Sequence, residues 1–205
     1  MKKIDCKLEP QDALHIGSGV VGLGARHVSR VQRLNGRPFV PGSTLKGKMR
    51  ANLTRLLPSI RELAKGDLQS YLEDKSDKSV IRDFFGAEDR KGRITVTNAV
   101  MEDSQTVEQE DQVDVIPGIR IDEETRSTAE GALFFEEKVA PKKNFEFSVY
   151  IAKSKQGDVD LLLTLLPIKY IERTGIGRRK AGVTISIPER EAQLDELKEA
   201  LLGNE

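Results

Sequence analysis

Cysteine is nearly absent from this chain, with Cys6 the only one among 205 residues. An intrachain disulfide and a zinc site built on cysteines are therefore excluded, and a reducing, cytoplasmic setting is expected. Histidine is almost as scarce: His15 and His27 are the only two. That excludes a histidine-rich metal centre and leaves a Ser-His-Asp triad to coincidence, so no metal and no cofactor is expected. Tryptophan is missing and aromatics make up 5% of the chain, which makes base stacking a minor means of holding a ligand. Apolar runs such as Leu161 to Leu163 fall far short of the roughly 20 residues that cross a bilayer. The opening Met1-Lys-Lys-Ile-Asp-Cys-Lys7 has no apolar stretch of the signal-peptide kind. A soluble protein without membrane contact is the expectation. With 38% hydrophobic residues, a single domain over residues 1–205 can bury a substantial core.

The second absence is of acid. Net charge is zero, 33 basic against 33 acidic residues, yet no Asp or Glu occurs from Ala13 to Arg61. Nine basic residues fall inside that window: Arg26, Arg30, Arg33, Arg37, Lys46, Lys48, Arg50, Arg55 and Arg61. The remainder of the chain holds nine more acids than bases. A second acid-free window, Arg173 to Pro188, carries Arg173, Arg178, Arg179 and Lys180. Such segregation points to a polyanion groove on an otherwise acidic body; docking onto an acidic protein neighbour is the alternative use of such a face.

Along the chain, Lys3 to Ile16 reads as a first strand closing at Ala13-Leu14-His15-Ile16, followed by a glycine loop with Gly17, Gly19, Gly22 and Gly24. Ser29 to Leu34 and Arg37 to Val40 are strands joined by an Asn35-Gly36 turn. A helix capped by Ser43 or Thr44 is expected to run to Leu57, with Pro58 stopping it. Its stripe is Leu45, Met49, Leu53 and Leu56, with Lys46 and Arg50 on one flank and Lys48 and Arg55 on the other. Arg61 to Lys78 is charged and helical or mobile. Arg93 to Met101 is the clearest strand. Ile116 to Ile121 and Ala132 to Val139 form the arms of an excursion with a polar tip at Asp122 to Glu130. Asn144 to Ala152 is a further strand, Asp158 to Ile171 a helix interrupted or kinked at Pro167, and Val183 to Ile187 a last short strand. Glu189 to Leu202 is an amphipathic helix with Leu194, Leu197 and Leu201 inward and Gly203 as its stop. This order predicts an α+β fold of ferredoxin-like type.

Two segments imitate nucleotide sites. Gly17-Ser-Gly19-Val-Val-Gly22 fits the dinucleotide fingerprint, but no acid follows before Glu62. Gly42-Ser-Thr-Leu-Lys-Gly47-Lys48 fits a phosphate loop, but Met49 stands where a hydroxyl must hold Mg²⁺. What both keep is the chemistry of phosphate binding: glycines, a helix start and lysines. Lys46, Lys48 and Arg50, with Arg178, Arg179 and Lys180, read as two supports for a nucleic-acid backbone.

Leu14-His-Ile-Gly17, Pro41-Gly-Ser-Thr-Leu-Lys-Gly-Lys-Met-Arg50, Phe84-Phe-Gly86 with Gly92-Arg-Ile-Thr-Val-Thr-Asn-Ala99, and Gly175-Ile-Gly-Arg-Arg-Lys-Ala-Gly182 together resemble the RAMP superfamily of CRISPR proteins. The excursion, Gly118 to Arg126 and Gly131 to Val139, looks like that of the repeating backbone subunit of type III effector complexes. The resemblance implies a ferredoxin-like, RRM-like core with an inserted β-hairpin thumb, about residues 113–140, and a C-terminal helix, 189–202. It implies that His15, Gly42, Ser43, Lys46, Lys48 and Arg50, with Gly175, Gly177, Arg178, Arg179 and Lys180, contact a CRISPR RNA backbone. Ile119, Arg120, Arg126 and Leu133 would belong to the thumb, which pushes between guide and target bases. The implied partners are the guide, a complementary target RNA, other RAMP subunits, the large and small subunits of the complex, and further copies of this chain stacked head to tail.

The sequence departs from the family where active members carry a target-cleaving Asp, in the loop after the first strand; Ala13 to Arg61 holds no acid, and His27 or a neighbour stands there. Asn98 stands where many members have Asp. Target cleavage in the usual way is not expected. The alternative is a metal-independent ribonuclease with His27 as general base on a ribose 2′-hydroxyl.

Overall fold

The computed structural model describes residues 1–21, 28–101, 113–121, 124–177 and 179–203. In chain order these form β1 (Lys2–Pro10), β2 (Gly17–Val21), β3 (Val28–Val31), β4 (Arg33–Leu34) and β5 (Arg37–Val40). Three helices follow, α1 (Gly42–Leu63), α2 (Gly66–Glu73) and α3 (Asp77–Phe85). Then come β6 (Gly86–Ala87), β7 (Arg90–Lys91), β8 (Ile94–Val96), β9 (Ala99–Met101), β10 (Val113–Ile121), β11 (Thr128–Val139) and β12 (Phe145–Ile151). The last elements are α4 (Gly157–Lys169), α5 (Ile171–Thr174), β13 (Val183–Ser186) and α6 (Glu191–Leu202).

The main sheet runs β13-β1-β12-β9-β5-β4, with β8 also pairing β12, and every pairing is antiparallel. Taken with α1 and α4 as the crossovers, its centre has the 4-1-3-2 order of a ferredoxin-like fold. Alternation explains its two faces. Ile4, Cys6 and Leu8 of β1 lie opposite Val149, Phe147 and Phe145 of β12, all buried under the helices. The outward residues are polar and paired: Lys7 meets Glu146 at 2.9 Å, and Ser148 donates to Asp5.

α4 is buried over most of its length and lies between α1 and α6, which pack on it. Asn52 of α1, fully buried, donates to the carbonyl of Pro167 at 3.1 Å and accepts from the Thr174 hydroxyl at 3.2 Å, pinning α1 to α4 and α5. Arg93 is clamped between Asp83 and Asp160, so α3, the start of β8 and α4 share one ion network.

Several elements differ from the sequence expectation. The first strand ends at Pro10, and Leu14 instead bridges singly to Val139. Gly17 to Val21, expected as loop, is strand β2, paired with β3; Gly22 and Gly24 lie outside the described residues. α1 begins at Gly42 after Pro41, with no cap from Ser43 or Thr44, and it runs through Pro58 to Leu63. Pro58 faces solvent, where water can serve the freed Thr54 carbonyl, while Leu57 and Ile60 are buried; their burial, about 2 kcal/mol each, offsets the roughly 3 kcal/mol that an interior proline costs. Leu56 is only partly buried, and Leu57 and Ile60 complete the stripe instead. α4 likewise passes Pro167 and ends at Lys169. The strand expected over Arg93 to Met101 is two strands broken at Thr97-Asn98.

Other expectations hold. The Asn35-Gly36 turn joins β4 to β5 with both residues at positive φ, 51° and 81°. β10 and β11 form the expected hairpin. α6 buries Leu194, Leu197 and Leu201 and stops at Gly203. Among the described residues no helix is long and apolar enough to cross a membrane.

Candidate nucleic-acid interface

The break between β8 and β9 builds the start of α1. Asn98 turns its side chain to the helix, and its Oδ1 accepts from the Gly42 N–H at 2.9 Å. Gly42 has no room for a side chain, because a Cβ would lie 2.4 Å from the Val96 carbonyl oxygen. The first turn contains no acidic residue, so its positive end is not neutralised.

From there α1 parts its cations. The Lys46 amine donates to the Ile94 carbonyl at 2.7 Å; burial, and then the like charges of Arg50 and Lys91, hold its pKa below 10.5. On the other flank Lys48 donates to the Thr174 carbonyl at 3.1 Å, with burial and then Arg55 and Lys180 lowering its pKa. The six cations expected to act as two supports are thus regrouped. Lys48 joins Lys180 of the glycine loop, and Lys46 and Arg50 face Lys91, which the charge windows did not single out; Arg178 lies outside the described residues.

The glycine loop is tight. Gly175 and Gly177 have φ of 63° and 80°, and the loop closes through Ile176 N–H to the Ala181 carbonyl. A Cβ on Gly177 would meet the His15 carbonyl oxygen at 2.7 Å, so the loop rests on the His15 backbone. The His15 ring is buried, 5% exposed. Its Nδ1 donates to the Glu137 carbonyl at 2.7 Å, and its Nε2 stands 3.3 Å from the Ser29 hydroxyl. The ring ties β3 to β11, with both nitrogens engaged inside the protein. Ser43 is exposed on the first turn of α1.

β10 and β11 carry an apolar stripe into solvent. Ile119 lies opposite Leu133, and Val115, Ile119, Ile121 and Leu133 are each more than half exposed. The ladder slips between Ile119 and Ile121. Arg126, at φ 53°, is exposed at the tip; the Arg120 side chain, with Asp122 and Glu123, lies outside what is described. The hairpin base is charged. Glu136 is buried, 3.2 Å from Arg179 and 3.9 Å from Lys138, and Glu137 accepts from the Val31 N–H and from Arg33. Sequence reading missed Glu136, Glu137 and Lys91, because acid partners distant in sequence and a lysine in a two-residue strand leave no periodic signal.

His27 lies outside the described residues. Among the described residues no three of His, Cys, Asp and Glu gather as a metal site.

A model of the RAMP superfamily matches residues 7–182. The chain belongs to that superfamily. This RAMP protein is 26% identical over 162 residues to the CRISPR system Cms endoribonuclease Csm3 of Methanocaldococcus jannaschii, a match covering 76% of this chain and 64% of the relative. Its fold matches a chain of the cryo-EM structure of the Type III-B Cmr-beta bound to cognate target RNA with a TM-score of 0.58 and 20% identity, over 90% of this chain and 58% of that one. The RAMP chain therefore spans less than two thirds of the length of either relative. The fold shared with that structure agrees with the ferredoxin-like core derived above.

Proposed function

We propose that this protein is an RNA-binding backbone subunit of a type III CRISPR ribonucleoprotein. It holds guide RNA by its phosphates and presents the β10–β11 hairpin to the paired target. The observation that carries this reading is α1, whose positive start, with no acidic residue in its first turn, leads into cations on both flanks, one set continued by the glycine loop. Backbone electrostatics of this kind position a strand without reading its sequence. The naming of one relative as a CRISPR system endoribonuclease and of another as part of a Type III-B assembly bound to cognate target RNA supports the same reading. The partners are the guide, the target, other subunits of the complex and further copies of this chain stacked head to tail. Cutting of the target is assigned elsewhere, because residues 13–61 hold no carboxylate.

The test is fluorescence anisotropy of labelled single-stranded RNA against salt, with a denaturing gel of the same samples in Mg²⁺ and in EDTA. The expected result is tight, steeply salt-dependent binding of intact RNA, with a flatter salt slope for Lys46→Ala with Arg50→Ala. An unchanged slope in that variant overturns the scaffold reading. Cleavage in both lanes assigns His27 the role of base instead.

A further inference from the structure

The small hairpin β6–β7 has no role in the function proposed above. Its geometry is tightly constrained: Gly86 has φ 88°, and a Cβ on Gly92 would lie 2.4 Å from the Gly86 nitrogen. The hairpin is thereby held against the end of α3, and between it and α1 is a cleft of about 520 Å³.

The charged residues lining this cleft are Lys46, Arg50, Arg90, Lys91 and Glu88. Arg90 is paired with Asp83 at 3.1 Å. Lys46 gives one N–H to the Ile94 carbonyl and keeps two others. Arg50 and Lys91 have no carboxylate within ion-pair distance among the described residues. These three cations lie close enough that Arg50 and Lys91 both disfavour the charge on Lys46. Like charges gathered in a partly desolvated cleft destabilise the free protein, and an anion entering the cleft removes that cost.

We infer that Lys91 and the β6–β7 hairpin complete, with Lys46 and Arg50, a site for a backbone phosphate of single-stranded nucleic acid, so that the bound strand continues off α1 and across this hairpin. The inference rests on the RNA-binding reading and extends it to an element outside both basic windows. Cleft size favours a chain over a free ion, since about 520 Å³ accommodates a nucleotide-sized group. Arg50, Ala87 and Glu88 also line a second cleft, of about 670 Å³, beside Thr54, Ile81 and Arg82. There Arg82 is paired with Asp89 and Asp77 with Arg61, and Lys78 is one further cation in the lining. Three cations, Lys46, Arg50 and Lys91, gather on the Lys91 side, and that is where the phosphate is placed.

The experiment measures anisotropy of two unrelated fluorescein-labelled RNAs of about 20 nucleotides against salt, on the full chain and its Lys91→Ala, Glu88→Gln, Lys46→Ala and Lys198→Ala variants. A ³¹P NMR titration with inorganic phosphate accompanies it. Lys91→Ala is expected to weaken both RNAs equally, about three- to tenfold at low salt, and to reduce the salt slope by about one. Glu88→Gln is expected to tighten both, and Lys198→Ala, a lysine paired with Asp195 on α6, to change neither. Lys91 is exposed, so its loss does not threaten the fold. If Lys46→Ala flattens the slope and Lys91→Ala does not, the hairpin has no part in binding; the inference falls and the RNA reading stands. If neither variant moves the slope, both fall. If Lys91→Ala removes the phosphate response but leaves RNA binding intact, the occupant is a free anion and the nucleic-acid assignment is overturned.

Discussion

The Asn98 side-chain oxygen lies 2.9 Å from the Gly42 nitrogen and caps α1 from the joint between two strands of the sheet. Asn98→Ala is expected to cost about 1 kcal/mol of stability, read as a lower urea midpoint at unchanged m-value. Asn98→Asp keeps the acceptor but places an anion at the start of α1. It is expected to hold stability while weakening RNA binding in a salt-dependent way; equal RNA affinity would remove the helix start from the interface.

Glu136 restrains Arg179. The carboxylate is buried, and the guanidinium it holds at 3.2 Å is otherwise largely exposed. Glu136→Gln frees Arg179 and removes a negative charge from the thumb base. The expected outcome is tighter RNA binding, by a few-fold, and a lower melting temperature, because Lys138 then loses its buried counter-charge. Weaker RNA binding in this variant would show that the pair positions the loop rather than restrains it.

Ile119 and Leu133 face each other on the exposed side of the thumb, at 61% and 55% exposure. Changing both to Ser is expected to alter stability by no more than about 0.5 kcal/mol each and to leave guide binding intact. Engagement of a complementary target strand is expected to fall. Gel-shift measurements with guide alone and with guide plus target separate the two; equal loss of both would contradict the thumb's role.

Cys6 supplies a pH signature. Burial, and then the charge of Asp5, push its thiol from 9.0 to about 12. The unfolded thiol ionises first, so the unfolded state gains over the folded one as pH rises between those values, and below about pH 9 the effect vanishes. Denaturant titrations from pH 8 to pH 11 are expected to show falling stability, with a shallower fall in Cys6→Ala. At pH 8 a thiol reagent is expected to leave the native protein unmodified and to label it once unfolded.

Much of this fold is legible in the sequence where local physics governs. The Asn35-Gly36 turn, the thumb arms and α6 each follow from turn chemistry or periodicity, and tertiary contacts do not override them. Pro58 does not stop α1, because a proline's cost is local, while the burial of Leu57 and Ile60 that outweighs it depends on which helices pack together. The strand over 93–101 breaks at Thr97-Asn98 because the start of α1 needs a cap, a demand arising more than 50 residues earlier in the chain. The 3.6-residue spacing places Lys46 with Arg50 on one flank of α1 and Lys48 with Arg55 on the other, as the structure does. Which distant cation joins each flank, Lys91 or Lys180, is set by tertiary folding and leaves no trace in spacing.

The position of β1 sets the timing of assembly. It is flanked on both edges by β12 and β13, whose residues lie some 140 to 180 positions further along the chain. During synthesis at about 5–20 residues per second, the first strand made therefore waits on the order of ten seconds or more before either neighbour exists, its two edges unpaired and its apolar face uncovered. Final closure of the sheet is a late, long-range event, and slowing the appearance of residues 145–186 prolongs the interval in which the nascent chain can pair with the wrong strand.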